Sequence, residues 1–295
     1  MAAKPIRVVV RRNGVPEATH VVHAVAVQDG RRVAEAGDPR LVTLLRSSAK
    51  PFQALPLAEA YDDLDTRELA IASASHLADR AQLAAVRLLL GRAHAHEDDL
   101  ECGAEGHPPT KLKHNCSGKH AGMLAVCRAH GWRTDGYRLA SHRMQRTHLQ
   151  NVAGLAGVDD DGIATAVDGC GVVTFALELE QMAAMFTRLE QSPAGKRVAD
   201  AMRAHPELIR GVGAPDTVVM QSTPGAVAKG GAEGLLCGAL PGGVGFAIKS
   251  ADGAGRPLGP AAAAFLANLG AEIPSLRELP MVNSRGEHVG SVAVE

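Results

Sequence analysis

What most limits how this chain can fold is where its two hydrophobic periodicities lie. Residues 6–11 alternate as a half-buried strand does, Asn13-Gly14 marks a hairpin turn, and residues 20–28 supply the returning strand. Asp29-Gly30 marks a second turn before Val33–Ala36 and Asp38-Pro39. From residue 51 the spacing becomes helical. Alanine- and leucine-rich segments cover 54–60, 66–74, 78–90, 119–130, 142–153 and 175–189. Asp65-Thr66, with Glu68 in the first turn, is a helix start. Short strand-like runs return at 217–221, 226–229, 235–236 and 244–248, followed by a helix over 261–269 and an alternating strand over 289–294. Strands at both ends with helices between them lack the regular alternation of a doubly wound fold. They predict an α+β layout, in which the N- and C-terminal segments build one antiparallel sheet beside a large helical region. No internal repeat or low-complexity linker interrupts the chain, so residues 1–295 read as a single domain.

Composition removes several classes of function. Lysine plus arginine is 31 and aspartate plus glutamate is 32, which gives no electrostatic case for nucleic acid or an anionic membrane. Aromatic residues are 3%, so alanine, valine and leucine must fill the core, and rings for stacking on bases are scarce. No run approaches the roughly 18 apolar residues of a membrane span. The N-terminus has no apolar stretch after its charges, so no signal peptide is expected. Five cysteines, an odd number without regular spacing, suit a reducing compartment, and the cytoplasm is the expected location.

Three groups of residues carry chemistry. Ser47 and Lys50 form the only Ser-x-x-Lys of the chain. Residues three apart share one face of a helical turn, so the lysine amine can meet the serine hydroxyl. Such a pair works as nucleophile and base only where burial or a second cation lowers the lysine pKa. The same four residues also describe a capping serine beside a solvated lysine. Pro51 removes a backbone donor just after Lys50, so Ser47–Lys50 reads as a separate turn before a longer helix. A late lysine, Lys249, lies on a strand-like run. The second group is Cys116 with Lys119, and the third is Asp168-Gly-Cys170-Gly. Two loop thiolates suit zinc, and Lys119 stands three residues after Cys116; two buried structural cysteines fit the spacing as well. Cys102, Cys127 and Cys237 read as structural. His94 and His96 read as a solvated loop.

Taken together, six blocks resemble one family. They are Arg46-Ser-Ser-Ala-Lys-Pro-Phe-Gln53, Ala74-Ser-His76, Lys113-His-Asn-Cys-Ser-Gly-Lys-His120, Asp168-Gly-Cys-Gly171, Lys229-Gly-Gly-Ala-Glu-Gly234 and Ala247-Ile-Lys249 with Asp252-Gly253. In this order they resemble the asparaginase II family, the Rhizobium-type or class 3 L-asparaginases. The resemblance implies a fold similar to serine β-lactamases and serine-dependent glutaminases. It implies hydrolysis of the side-chain amide of L-asparagine to aspartate and ammonia. It further implies two serine–lysine pairs, Ser47 with Lys50 and Ser75 with Lys249. Zinc held by Cys116, Lys119 and Cys170, one ion per chain, and a homodimer are also implied. Asp168, Arg46 and His120 are expected at the substrate, although Arg46 reads equally well as a structural arginine. Ser75 is preferred to Ser73 because the histidine follows it directly. One segment departs from the pattern: Leu77-Ala78-Asp79 stands where the family has a small residue, glycine and glutamate. A serine-dependent glutaminase, or another small-amide hydrolase on the same fold, is the nearest alternative. A zinc hydrolase and a non-catalytic binding protein are the more distant ones.

Overall fold

The computed structural model describes residues 3–295; Met1 and Ala2, at the start of the segment read as lacking a signal peptide, lie outside the described residues. Both hairpin signals act as read. Asn13 and Gly14 have φ of 47° and 83°, and Asp29 and Gly30 have 50° and 72°. Two consecutive left-handed residues are what a tight turn between twisted strands requires. These turns join β1 (Ile6–Arg12), β2 (Val15–Gln28) and β3 (Arg31–Ala36), and β4 (Val42–Leu44) follows.

The middle of the chain is helical, as the spacing predicts. It comprises α1 (Lys50–Gln53), α2 (Leu55–Ala60), α3 (Thr66–Ala72), α4 (Arg80–Arg92), α5 (Ser117–Ala129) and α6 (Arg143–Ala156). Asp65 caps α3 in a capping box with Glu68, and Asp79 caps α4 in another with Gln82. Next come β5 (Thr165–Val167), β6 (Val173–Glu178), α7 (Leu179–Arg188), α8 (Pro193–Ala204), α9 (Pro206–Ile209) and α10 (Pro215–Ser222). The chain closes with β7 (Val227–Gly231), β8 (Leu235–Leu240), β9 (Val244–Ser250), α11 (Leu258–Ala267), α12 (Pro274–Arg277), β10 (Glu278–Val282) and β11 (His288–Val294).

Two expectations need correction. The run from 175 to 189 is not one helix. Its first part is β6, and the helix begins after Glu178, whose backbone N–H is bonded by the Gln181 side chain. Thr217–Gln221 is not a strand but the body of α10, with Pro215 in its first turn. A short Val-Val-Met run fits either state, and the proline decides it. Helix α8 and strand β10 have no counterpart in the sequence reading.

The main sheet has the order β10-β11-β1-β2-β9-β8-β7, with β3 also on β2, and every pairing is antiparallel. The two ends of the chain therefore meet in one sheet, as the α+β layout predicts. The junction is β2, whose residues 22–27 pair with β9. Helix α7 lies on this sheet so closely that a Cβ on Gly245 of β9 would stand 2.0 Å from the Ala183 carbonyl oxygen. A smaller sheet, β4-β6-β5, stands at the entry to the helices. It sets the segment after β4, which carries Ser47, beside the β5–β6 turn, which carries Cys170. The core is mostly alanine, valine and leucine, with Phe52 against Phe186 edge to face at 4.9 Å.

Gly118, in the first turn of α5, lets that helix touch the end of α3. A Cβ there would lie 2.2 Å from the Ile71 carbonyl oxygen. Alanine normally gains about 1 kcal/mol over glycine in a helix. A backbone clash of this depth outweighs that gain, because no rotamer relieves it. Gly118→Ala is therefore expected to destabilise the protein by about 1–3 kcal/mol, read from the midpoint of urea unfolding. A midpoint that stays or rises would show that α5 and α3 are not pressed together there.

Candidate active site

The turn bearing Ser47 is set by its neighbours on the small sheet. Leu45 N–H donates to the Phe175 carbonyl, and the chain then bends sharply at Arg46, whose φ is +47°. A non-glycine residue in that region costs roughly 1–2 kcal/mol and persists where its surroundings fix it. Two bonds fix it here: Arg46 N–H donates to Thr174 Oγ1 at 3.0 Å, and Arg46 Nε donates to Asp168 Oδ1 at 2.7 Å. Arg46–Ala49 then form a 3-10 turn, and Pro51 falls in the first turn of α1, where its missing N–H has no partner to lose. Ser47–Lys50 is thus the separate turn that the sequence suggests.

Lys50 has no exposed surface. Its Nζ donates to the Ala74 carbonyl at 2.6 Å and to Ser75 Oγ at 2.9 Å. Burial pushes its pKa down; among its neighbours Lys119 adds to this, while Cys116 and Cys170 oppose it. Ser75 is held on both sides, since its N–H donates to the Ile209 carbonyl and its own carbonyl accepts from Arg210 Nη1 at 2.9 Å. His76 locks the same turn. Ser117 Oγ donates to the Leu112 carbonyl and so accepts from His76 Nε2, while His76 Nδ1 accepts from Ala78 N–H. Burial, with Lys50 next, holds His76 at about 4, so it is neutral with its proton on Nε2. Ser73 donates to the Leu69 carbonyl as an ordinary helical serine. In the divergent segment, Ala78 has φ +61°, which glycine adopts without strain, and Asp79 is spent on capping α4.

Ser47 and Ser75 open onto one cleft of about 340 Å³, which Asn115, Arg210, Asp216 and Lys229 also line. That volume suits a small molecule. A groove of about 480 Å³ between Trp132 and Arg143 shares none of these residues. The lysine that lines the cleft is Lys229, on β7. It is fully buried, lies 3.6 Å from Asp216 Oδ2 and donates to the Gly230 carbonyl. Burial lowers it to about 8, against the pull of Asp216 and with Lys50 and Arg210 adding to the shift. Gly230 and Gly231 allow this approach, because a Cβ would meet Asp216 Oδ2 at 3.2 Å and Ser48 Oγ at 3.0 Å, respectively.

Lys249 does not reach this cleft. Lys229 faces Cys237, and Cys237 faces Ala247 on β9. Lys249 is on the same face as these residues, two positions further along and two strands inward, which is about 10 Å across the sheet. Its Nζ donates to the Ser250 carbonyl, and its pKa is lowered by burial against Glu233 and Asp252 rather than by Lys50. His120 is not brought to the cleft either. It is buried beside Tyr137, whose hydroxyl is 2.8 Å from Nδ1, and its Nε2 has no partner among the described residues. Arg46 and Asp168 hold each other. The residues that sequence reasoning missed are Lys229, Asp216 and Arg210. Lys229 stood in a quoted block, but nothing local distinguished it from Lys249.

Cys116, Lys119 and Cys170 do meet. Lys119 Nζ donates to Cys170 Sγ at 3.1 Å. The Cys170 thiol hydrogen-bonds Cys116, which holds Cys116 well below the usual thiol range despite burial, with Lys50 and Lys119 helping. Cys170 is raised by donating that bond and by burial. Burial draws Lys119 down, but Cys170 and Cys116 outweigh it and leave it raised. Among the described residues no group of three or more histidine, cysteine or carboxylate side chains is placed to hold a metal. Two buried sulfurs, with the Lys119 nitrogen once it gives up its proton, nonetheless form a donor set that fits zinc. All five cysteines are free and buried.

Known structures with related folds are distant in sequence. Mglu in its glutamate form aligns at a TM-score of 0.51 and 13% identity over 86% of this chain and 61% of that one. The chain likewise spans 65% of Mglu in its native form. A β-lactamase from Mycobacterium bovis aligns at 0.44 and 14% over 79% of this chain and 88% of its own. A probable glutaminase from Bacillus subtilis, complexed with 6-diazo-5-oxo-L-norleucine, aligns at 0.37 and 12% over 85% of each chain. No curated protein sequence matches this chain. The family model of L-asparaginase II, by contrast, matches residues 8–294, nearly the whole described chain, and the protein therefore belongs to the L-asparaginase II family.

Proposed function

We propose that this amidohydrolase converts L-asparagine and water to L-aspartate and ammonia through an ester on Ser47. The observation that carries this reading is the setting of Lys50. It is a buried amine with no carboxylate bonded to it, joined to Ser75 Oγ and one turn from Ser47, and both hydroxyls open onto a cleft shared with Lys229. A buried lysine is readily neutral, and a neutral lysine can take the proton of a serine.

Ser47 Oγ attacks the amide carbon as Lys50 accepts its proton. Ser75, bonded to Lys50, passes that proton to the departing nitrogen; the C–N bond breaks and ammonia leaves. Water then attacks the β-aspartyl ester by the reverse proton path, releasing aspartate and restoring the Ser47 hydroxyl. Backbone amides near Ser47 and the Lys229 ammonium face the charge that develops on the carbonyl oxygen. Arg46 and Asp168 tie the Ser47 turn to the Cys170 loop and act as positioning residues. Cys116, Lys119 and Cys170 would hold zinc, which would fix the loops that carry Cys116 and Cys170. A homodimer in the cytoplasm completes the reading, with sedimentation as the test of its oligomeric state.

Ammonia release from L-asparagine by Ser47→Ala should fall by roughly 10⁴-fold or more with the melting temperature unchanged. Turnover near that of wild type would remove Ser47 as nucleophile. In a parallel pair, Lys229→Met should lower kcat by about 10²-fold or more, whereas Lys249→Met retains most activity. The opposite ranking would return the second lysine to β9. Glutamine, assayed beside asparagine, decides the substrate.

The pH profile follows from Lys229. Its lowered pKa means that it is protonated below pH 8 and loses its charge as the pH rises through about 8. If the ammonium is needed, kcat/KM declines on that alkaline side. Asp216 raises the Lys229 pKa, so Asp216→Asn should move the decline to lower pH. A limb that does not move in Asp216→Asn would exclude Lys229 as its origin. Elemental analysis should find one zinc per chain in the native protein and much less in Cys116→Ala, and equal zinc in both would refute the metal site.

A further inference from the structure

We infer that Arg210 is the residue that recognises the carboxylate of the substrate, and that the site therefore selects amides carrying a free carboxylate. This rests on the amidohydrolase reading for the reaction, but the recognition itself does not need turnover. Arg210 lies on the segment between α9 and α10. The residue before it, Ile209, accepts the Ser75 N–H, and Arg210 itself donates from Nη1 to the Ser75 carbonyl. Gln82 Nε2 donates to the Arg210 carbonyl at 3.1 Å and to the Glu207 carbonyl at 3.2 Å, so the backbone is pinned as well. The guanidinium is thus fixed beside the serine that Lys50 touches.

Charge pairing distinguishes it. The charged side chains lining the cleft are Arg210, Asp216 and Lys229. Asp216 and Lys229 face each other at 3.6 Å. Arg210 has no carboxylate within 4.0 Å among the described residues, although it is half buried. Glu105, which borders the adjoining hollow, is already engaged, accepting from the Asn115 backbone and side chain. A guanidinium offers five N–H donors in a planar fork, and one is used here, so a face that can take a carboxylate in two parallel bonds is open. That face is reached from two sides. Arg210 and Asn115 line both the serine cleft and an adjoining hollow of about 440 Å³ bounded by His76, Glu105, His107 and Lys113. In L-asparagine, two carbons separate the amide carbon from the α-carboxylate carbon. An amide at Ser47 and a carboxylate at the Arg210 wall of one small cleft match that form.

The test compares L-asparagine with 3-aminopropanamide, which is asparagine without its carboxylate, in wild type, Arg210→Gln and Arg210→Lys. Wild type should prefer asparagine by about 10²-fold in kcat/KM. Arg210→Gln should bring that ratio close to one, mainly through KM for asparagine, and Arg210→Lys should keep part of it. An equal fall on both amides would show that Arg210 only supports Ser75 and would overturn the inference. Calorimetry with L-aspartate gives a readout free of catalysis, and Arg210→Lys, with its melting curve, serves if Arg210→Gln folds poorly. Aspartate binding that is lost in Arg210→Gln and weakened in Arg210→Lys supports the inference even if wild type hydrolyses no amide, in which case the amidohydrolase reading alone fails. Binding equal to wild type in both variants, or no binding to wild type, overturns it.

Discussion

A fully buried lysine amine with no bonded carboxylate is the constraint on which the site depends. Lys50 satisfies its donors with the Ala74 carbonyl and Ser75 Oγ, so the 74–76 turn has to be held as firmly as the lysine itself. Most contacts around it do that. Ile209 and Arg210 grip Ser75 from one side, and His76 reaches Ser117 at the start of α5 from the other. Gly118 then brings α5 against α3, whose end supplies that turn. Burial lowers the pKa of the amine and also makes any loosening costly, because a buried amine left without partners has no solvent to replace them. On the proposed mechanism, chemistry and packing are one requirement here.

The parts legible in the sequence are those fixed by local geometry. Asn13-Gly14 and Asp29-Gly30 specify left-handed turns whatever surrounds them, and the two flanking strand regions follow. Ser47 and Lys50 are three residues apart, so their shared turn was legible. The convergence of Cys116, Lys119 and Cys170 was legible only through the family resemblance, since the two cysteines lie 54 positions apart in the chain (170 less 116) and meet through the small sheet. What failed was register. Lys229 and Lys249 are both strand lysines beside small residues, and only the order β9-β8-β7 shows which one stands at the edge facing Ser48. Arg46 and Asp168 were expected to face substrate, but a pair 122 residues apart in sequence is invisible until the sheet joins them. The misreadings of residues 175–178 and 217–221 have one cause: an apolar run of four or five residues has no period long enough to separate strand from helix.

The charges of the cleft form a set that is incomplete in the protein alone. Lys229 and Arg210 line it against the single carboxylate of Asp216, with Lys50 just behind Ser75. Lys229 and Lys50 accommodate this by pKa, since each is lowered, and burial leads in both cases. Arg210 instead stands without a carboxylate within 4.0 Å among the described residues, beside the serine that Lys50 contacts. On the inference drawn for Arg210, a substrate carrying a carboxylate would supply the missing anion and compensate that charge where it stands. With that charge balanced, Lys50 and Lys229 no longer share the cleft with an unpaired cation, and the tendency of Arg210 to lower Lys229 is weakened. On the proposed mechanism, ligand binding would thereby favour the protonated form of Lys229, so that recognition of one end of the substrate would prepare the site for chemistry at the other.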